Sequence, residues 1–464
     1  MSSDWPEYSL TELYDISSGL SKPAKDFGSG YPFVSFKDVF ANYFLPEDLG
    51  QLVQSSDKER EKASVKKGDV FLTRTSETMH ELGMSSVALK DYENATFNGF
   101  TKRLRVKPEM AEFVVPEFIA YSLRSPSFRT SMLAFSTMST RASLNNEMIS
   151  RLKIKLPKVD TQRKIGNVLK CLDDKIALNK QLNEKLELIA QAIFKSWFVD
   201  FEPTKAKIAA REALLAENPA ATPEQIATAE QQAAIQAIAG AGDVIPTERL
   251  QAIAELFPNQ FVDSELGEIP YGWEIKALDQ IANYQNGLAL QKFRPESGED
   301  FLPVLKIAQL KAGFADGKEV AKASIKKECI VDNGDVIFSW SGSLVVDIWC
   351  GGRVALNQHL FKVTSNTYPK WFFYKWTKYH LEKFQQIAAD KAVTMGHIKR
   401  SHLSEAKCLI PASELIKNKF ISSLIDKQVQ VRLESKVLSD VRDSLLPRLL
   451  AGEFSLAKVD SEHE

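Results

Sequence analysis

Val65-Lys-Lys-Gly-Asp-Val-Phe-Leu-Thr-Arg-Thr-Ser76 and Val331-Asp-Asn-Gly-Asp-Val-Ile-Phe-Ser-Trp-Ser-Gly342 are one phrase written twice, at an offset of 266 residues. In each, a Gly-Asp pair precedes a run of apolar and β-branched side chains. This predicts a tight turn entering a short strand, Val70–Thr73 and Val336–Ser339. The duplication extends outward. Trp5 to Leu13 is echoed by Trp273 to Ile281, and the stretch from Asn98 to Val106 by that from Asn357 to Val363. Each copy closes on a spaced apolar pattern that ends in proline: Leu144, Ile149, Leu152, Ile154, Leu156, Pro157, then Ile398, Leu403, Ala406, Cys408, Ile410, Pro411. The chain is an internal repeat.

After each closing proline comes a long segment of helical periodicity. The first runs from about Thr161 to Val199, with Ile165, Leu169, Leu172, Ile176, Leu186, Ala190, Ile193 and Trp197 at three- and four-residue spacing and Asn179 and Asn183 on the same stripe. The second runs from about Ser413 to Leu446, where Leu424, Val431, Leu438 and Leu445 recur every seven residues. This is the seam of a coiled coil. Either helix alone would suit an ordinary core; two at equivalent places in a duplicated chain point to pairing with each other. At about 1.5 Å per residue each would span roughly 50–55 Å. Packed antiparallel, such helices would hold two globular units at opposite ends of a rod, further apart than the ~34–36 Å of one DNA turn.

The expected fold is therefore α+β: two mixed globular domains separated by two long antiparallel helices, with a pseudo-two-fold repeat. The expected divisions are 1–157, first globular domain; 158–202, first long helix; 203–264, an Ala-rich helical insertion or linker; 265–411, second globular domain; 412–454, second long helix; and 455–464, a tail. The insertion contains 14 alanines in residues 204–242, broken by Pro219, Pro223 and the Gly240–Gly242 pair. Pro116–Leu123 and Trp371–Leu381 read as helices with aromatic cores.

Composition narrows the function. With 44% hydrophobic and 26% charged residues in 464, the chain has the make-up of a soluble multidomain protein. No apolar run reaches the length of a membrane span, and Met1 to Leu10 lacks the basic and apolar regions of a secretion signal. Cys171, Cys329, Cys350 and Cys408 are scattered without a CxxC pair, which fits a reducing cytoplasm rather than disulfides or structural zinc. There is no GxxxxGK[ST] phosphate cradle, GxSxG elbow or HExxH pair and no Asn/Asp-Pro-Pro-Tyr/Phe methyltransferase motif, and Gly28-Ser-Gly30 is a lone GxG in a loop context that carries little meaning. Asp69 and Asp335 recur in the repeat. They could serve a metal-dependent nuclease, but the Gly68-Asp69 and Gly334-Asp335 pairs fit turns before strands better.

A formal net charge of −1 conceals an asymmetry. Residues 1–97 hold 10 Lys and Arg against 16 Asp and Glu, and residues 98–155 hold 10 against 4. In the second copy, 267–352 holds 9 against 12 and 353–411 holds 10 against 3. Ordinary solvated surface would explain one such cluster; two at equivalent positions suggest a shared polyanionic ligand. Side chains suited to base edges lie in the same regions. In the first copy they are Arg74, Ser76, Lys102, Arg103, Arg141, Ser143, Asn145 and Asn146. In the second they are Trp340, Ser341, Ser343, Asn357, Gln358, His359, Thr394, His397, Lys399 and Arg400. Each could equally be a cap or a surface polar group.

Three longer strings carry a resemblance: Ala192-Ile-Phe-Lys-Ser-Trp-Phe-Val-Asp-Phe-Glu-Pro203, Glu265-Leu-Gly-Glu-Ile-Pro-Tyr-Gly-Trp273 and Leu445-Leu-Pro-Arg-Leu-Leu-Ala-Gly-Glu-Phe454. With Thr161-Gln-Arg-Lys-Ile165 and Leu172-Asp-Asp-Lys-Ile176, they make nearly the whole chain resemble the specificity subunits of type I restriction–modification systems. The resemblance implies two target-recognition domains reading the halves of an asymmetric, interrupted double-stranded DNA site. The paired helices would serve as spacer ruler and as docking surface for two modification (adenine-N6 methyltransferase) subunits, with two restriction (translocase/nuclease) subunits completing the complex. It implies no cofactor in this chain, with S-adenosylmethionine, ATP and Mg on the partners, no membrane, and a prokaryotic cytoplasmic location. The Glu-Leu-Gly-Glu-Ile-Pro lead-in precedes only the second copy, a departure from strict repetition. The alternatives are a stand-alone tandem DNA-binding protein, a site-specific nuclease and a coiled-coil scaffold that binds no DNA.

Overall fold

The strand Val70–Thr73 buries all four of its residues, and so does its counterpart Val336–Ser339. A strand points alternate side chains to opposite faces, so such a run requires cover on both sides. The computed structural model, which describes residues 5–75, 81–136, 143–240, 247–390 and 396–453, provides it in both copies. Val70 and Leu72 join a core with the helices, while Phe71 joins a second core with Val34, Val39 and Phe97. Val336 and Phe338 likewise face the helical side, and Ile337 packs with Val304, Trp349 and Leu356.

The two copies share a topology. In the first, a four-stranded antiparallel sheet runs Tyr14–Ser18, Thr101–Val106, Val70–Thr73, Ser85–Val87. In the second, the order is Asn283–Asn286, Leu360–Thr364, Val336–Ser339, Val346–Ile348. A second sheet in each contains one parallel pair, Phe27–Val34 with Thr96–Phe97 and Phe301–Leu305 with Val354–Leu356. A short antiparallel pair closes each copy, Glu7–Ser9 with Lys153–Lys155 and Glu274–Ala277 with Lys407–Ile410.

Two backbone features recur with the topology. Gly68 and Gly334 take φ of +86° and +90°, so a side chain is disfavoured in the turn before the strand. Gly19 and Gly287 lie against the neighbouring backbone: a Cβ would stand 2.3 Å from the Phe97 carbonyl oxygen in one and from the Leu356 and Asn357 carbonyls in the other.

By contacts the chain divides into two units, Met1–Ile176 with Val437–Glu464, and Ala177–Lys436. The first long helix, Val159–Phe198, and the second, Lys419–Leu450, each contribute to both. Within the first unit, Ile165 and Leu169 pack with Leu446 and Leu449, and Asp173 accepts from Arg442. As one helix ascends in number the other descends, so the segments are antiparallel. Within the second unit Asn179 meets Glu434, Glu187 meets Gln428, and Phe194 shares a core with Phe420 and Ile421, again antiparallel.

The second helical stretch, read as continuous from Ser413, is divided at Asn418, whose Oδ1 accepts the Phe420 N–H at 2.9 Å and starts a new helix. At the other end the helix continues past Pro447 to Leu450. Burial of Leu446 and Leu449 in the first unit's core holds the last turn despite the missing N–H. The Ala-rich stretch forms two helices, Glu202–Glu217 and Pro223–Gly240, the second opening on a proline behind a Thr222–Gln225 capping pair. Ala234 and Ile238 bury against the second unit's core with Leu250 and Phe257, the latter edge-on to Trp197 at 5.6 Å.

Among the described residues no helix is long and apolar enough to cross a membrane. The four cysteines are unbridged, Cys171 exposed and the other three buried.

Candidate nucleic-acid interface

In both copies the loop after the Gly-Asp strand pairs with the loop before the closing pattern. Thr75 bridges Ser143 in the first copy, and Ser341 bridges His397 in the second. The flanking bonds repeat: Leu144 N–H donates to the Arg74 carbonyl at 2.8 Å, and Ile398 N–H to the Trp340 carbonyl at 3.0 Å. A third turn joins each site, since Arg74 N–H donates to the Phe100 carbonyl at 2.7 Å and Trp340 N–H to that of His359 at 3.3 Å. Segments distant in sequence thus form one three-stranded rim in each repeat.

In the second copy the rim is aromatic. The Trp340 ring lies 5.9 Å from His359 and 6.4 Å from His397, and its indole N–H donates to the Gln358 carbonyl at 3.2 Å. Ser341 Oγ is 2.9 Å from His359 Nδ1, and Gln358 Nε2 is 3.3 Å from the far imidazole nitrogen. A hydroxyl beside an imidazole is the geometry of a nucleophile and its base. Here Ser341 is only 5% exposed, however, and an amide rather than a carboxylate faces the other ring nitrogen. Ser341 belongs to the frame that orients His359, and the edges left open at this rim are those of half-buried His359 and exposed His397. Lys399 and Arg400 are exposed beside it; Arg400 bonds the Tyr284 carbonyl and lies over Phe361. Ser343 is exposed and accepts from Lys311 Nζ at 2.6 Å.

In the first copy the rim carries Arg74, half-buried, whose Nε has no hydrogen-bond partner. Ser143 sits beside Thr75. Asn145 is exposed but caps the helix Asn146–Arg151, accepting from Met148 N–H at 2.8 Å. Asn146 is exposed at the start of that helix. Ser76, Arg141 and Thr394 lie outside the described residues.

Other expected side chains are committed to the fold. Lys102 and Arg103 are 8% and 7% exposed; Lys102 donates to Ser18 Oγ and Arg103 to the Ser64 carbonyl. Burial pushes both below their ordinary pKa. They belong to the frame of the unit rather than its surface. Asn357 is 5% exposed and closes a turn through the His359 N–H.

The basic asymmetry is corrected in the same way. Lys107, Arg105, Arg124 and Arg129 all satisfy internal acceptors in the first copy, and Lys362, Lys375 and Lys378 in the second. One of these cations recurs with the fold, Arg105 on Asp69 and Lys362 on Asp335. Asp69 and Asp335 are similarly explained: each caps its turn, at 2.7 Å to Lys66 N–H and 2.8 Å to Asp332 N–H. Each also pairs with a cation, Arg105 and Lys362. Among the described residues no cluster of three or more His, Cys, Asp or Glu could hold a metal ion.

Two rim residues escaped the sequence reading. Phe100 is 63% exposed on the third turn, and Lys311 reaches Ser343 from a helix, Ile307–Ala312, of the second copy. The pairing of Asn98 with Asn357 sets Phe100 opposite His359, but an apolar ring was not among the polar types sought there; no signal in the sequence singles out Lys311.

The duplication has a parallel among known proteins. A family model described as the type I restriction modification DNA specificity domain matches residues 2–188 and again 270–438. The HindI type I restriction enzyme specificity subunit of Haemophilus influenzae is 29% identical over 487 aligned positions, covering 97% of this chain and all of that one. The MjaIX specificity subunit of Methanocaldococcus jannaschii is 23% identical, covering 98% and 95%. A crystal structure of a type I restriction–modification S subunit from M. genitalium superposes with a TM-score of 0.52 at 13% identity, covering 96% of each chain, and so shares the fold.

Proposed function

The chain belongs to the type I restriction–modification DNA specificity family, and from that premise we propose that its two repeats read the two halves of an asymmetric DNA site separated by a fixed spacer. The specificity role is the non-catalytic one. Methylation of adenine N6, ATP-driven translocation and cleavage fall to two modification and two restriction subunits, which bring S-adenosylmethionine, ATP and Mg. The long helices offer the docking surface, and their length sets the spacer.

The observation that supports this reading best is the repeated rim. The same loop pairing, Thr75 with Ser143 and Ser341 with His397, rests on the same sheet but presents different side chains. Equal frames with unequal edges are what recognition of two different half-sites requires. Duplex binding by the chain with its modification subunits tests it. Affinity should fall steeply with salt and should drop further, for one half-site alone, in Trp340→Ala. Equal loss on every duplex would contradict base reading at this rim. The stand-alone alternative predicts unchanged site selectivity when the chain is purified without any partner.

A further inference from the structure

The first copy's rim holds an aromatic side chain that the fold does not use. Phe100 is 63% exposed, on a turn whose backbone is tied by several hydrogen bonds. Its N–H donates to Asn98 Oδ1 at 2.7 Å, and Thr101 bonds the Asn98 carbonyl through both N–H, at 3.0 Å, and Oγ1, at 2.7 Å. Between them, Gly99 donates to the Leu20 carbonyl at 2.8 Å, and a Cβ there would stand 2.5 Å from Ser21 Oγ. The turn fixes where the Phe100 Cα–Cβ bond leaves the backbone.

The second copy builds the same turn, Asn357 Oδ1 accepting the His359 N–H and Leu360 N–H donating to the Asn357 carbonyl. It too presents a ring, His359, but there the Trp340 indole lies 5.9 Å away. In the first copy Arg74 takes the place of Trp340. Arg74 N–H donates to the Phe100 carbonyl, no tryptophan ring stands there, and the half-buried Arg74 guanidinium has an Nε without a hydrogen-bond partner.

We propose that Phe100 reads sequence in the first half-site by packing on the 5-methyl group of a thymine. This rests on the chain being a DNA specificity subunit. An apolar ring has nothing to offer a phosphate, and of the four base-pair patterns in the major groove only the thymine edge carries an apolar group. Arg74 beside it supplies the charge that draws the rim to the duplex.

The test uses the full chain with its modification subunits and duplexes carrying the mapped target. Each thymine of both half-sites is replaced in turn by uracil, which lacks only the methyl group. Wild type should lose about fourfold in affinity, the worth of roughly one buried methyl, at one thymine of the half-site read by the first repeat. Phe100→Ala, a change at an exposed position, should bind the thymine and uracil duplexes equally, and Phe100→Leu should keep part of the preference. The second half-site should respond identically in all three proteins. If no thymine distinguishes wild type from Phe100→Ala, the proposal is overturned while site-specific binding stands. If the wild-type complex shows no site preference on the natural duplex, the specificity reading itself fails and takes the proposal with it.

Discussion

Gly19 and Gly287 show at the scale of single residues what duplication means physically. A Cβ at either would overlap carbonyl oxygens at 2.3 Å, so each sheet admits its neighbour only because the side chain is missing. Gly19→Ala and Gly287→Ala should each destabilise their own unit by about 2 kcal/mol, read as a lowered urea midpoint; an unchanged midpoint would show that the backbone yields. The Asp69 side chain is 1% exposed and holds Arg105 through two bonds, Nε to Oδ1 at 2.7 Å and Nη2 to Oδ2 at 2.6 Å. Asp69→Ala should cost about 3 kcal/mol by leaving Arg105 unpaired, with no metal-dependent activity lost. A stable variant lacking cleavage would instead favour the nuclease reading. The Gly-Asp turn was legible in the sequence because the motif states its own geometry. The roles of Lys102 and Arg103 were not, since counting charge cannot tell a cation in a sheet from one in solvent.

At the scale of elements, the seam of the first long helix was the most legible feature; of the heptad expected in the second, Leu424 and Val431 are buried and Leu438 and Leu445 half-buried. Ile165, Leu169, Leu186, Ala190, Ile193 and Trp197 are all buried as their spacing predicts, and Asn179, on the same stripe, is 1% exposed. The anchoring of these helices was not legible, because it depends on partners far away in the chain. Glu187 on the first long helix meets Lys375, Lys378 and Gln428. Burial would raise its pKa, but the two ammonium groups and Gln428 pull it down to about 2. In the unfolded chain the carboxyl titrates near 4.5, so its contribution is complete above that pH and is lost as pH falls towards 2. Burial pushes His380, bonded to the Lys407 carbonyl, from 6.5 down to about 4. Its proton is taken up more readily by the unfolded chain, so stability also declines as pH falls from 6.5 to 4. Each group accounts for on the order of 3 kcal/mol. Unfolding followed at pH 7, 5 and 3 should show the second unit weakening in two stages, and Glu187→Gln should flatten the lower one. An unaltered slope in that variant would remove Glu187 from the account.

For the whole molecule, the duplicated phrase at Val65 and Val331 marks the repeat, and the two long periodic segments that follow the closing prolines complete the architecture. The charge asymmetry proved to be partly structural, more so in the first copy than in the second. The weight of the functional reading therefore moves to the paired rims and the family match over 2–188 and 270–438. If the long helices set the spacer, a seven-residue insertion in the first, matched in the second, should lengthen the unspecified gap and leave both half-sites unchanged; an unaltered gap would contradict the ruler. Two-part recognition is open to direct measurement by mapping methylated adenines in a genome that carries this chain with its modification subunits, for wild type and for Trp340→Ala. The account predicts a two-part motif with a constant gap, of which the variant relaxes one half only. A single contiguous motif, or relaxation of both halves together, would contradict it.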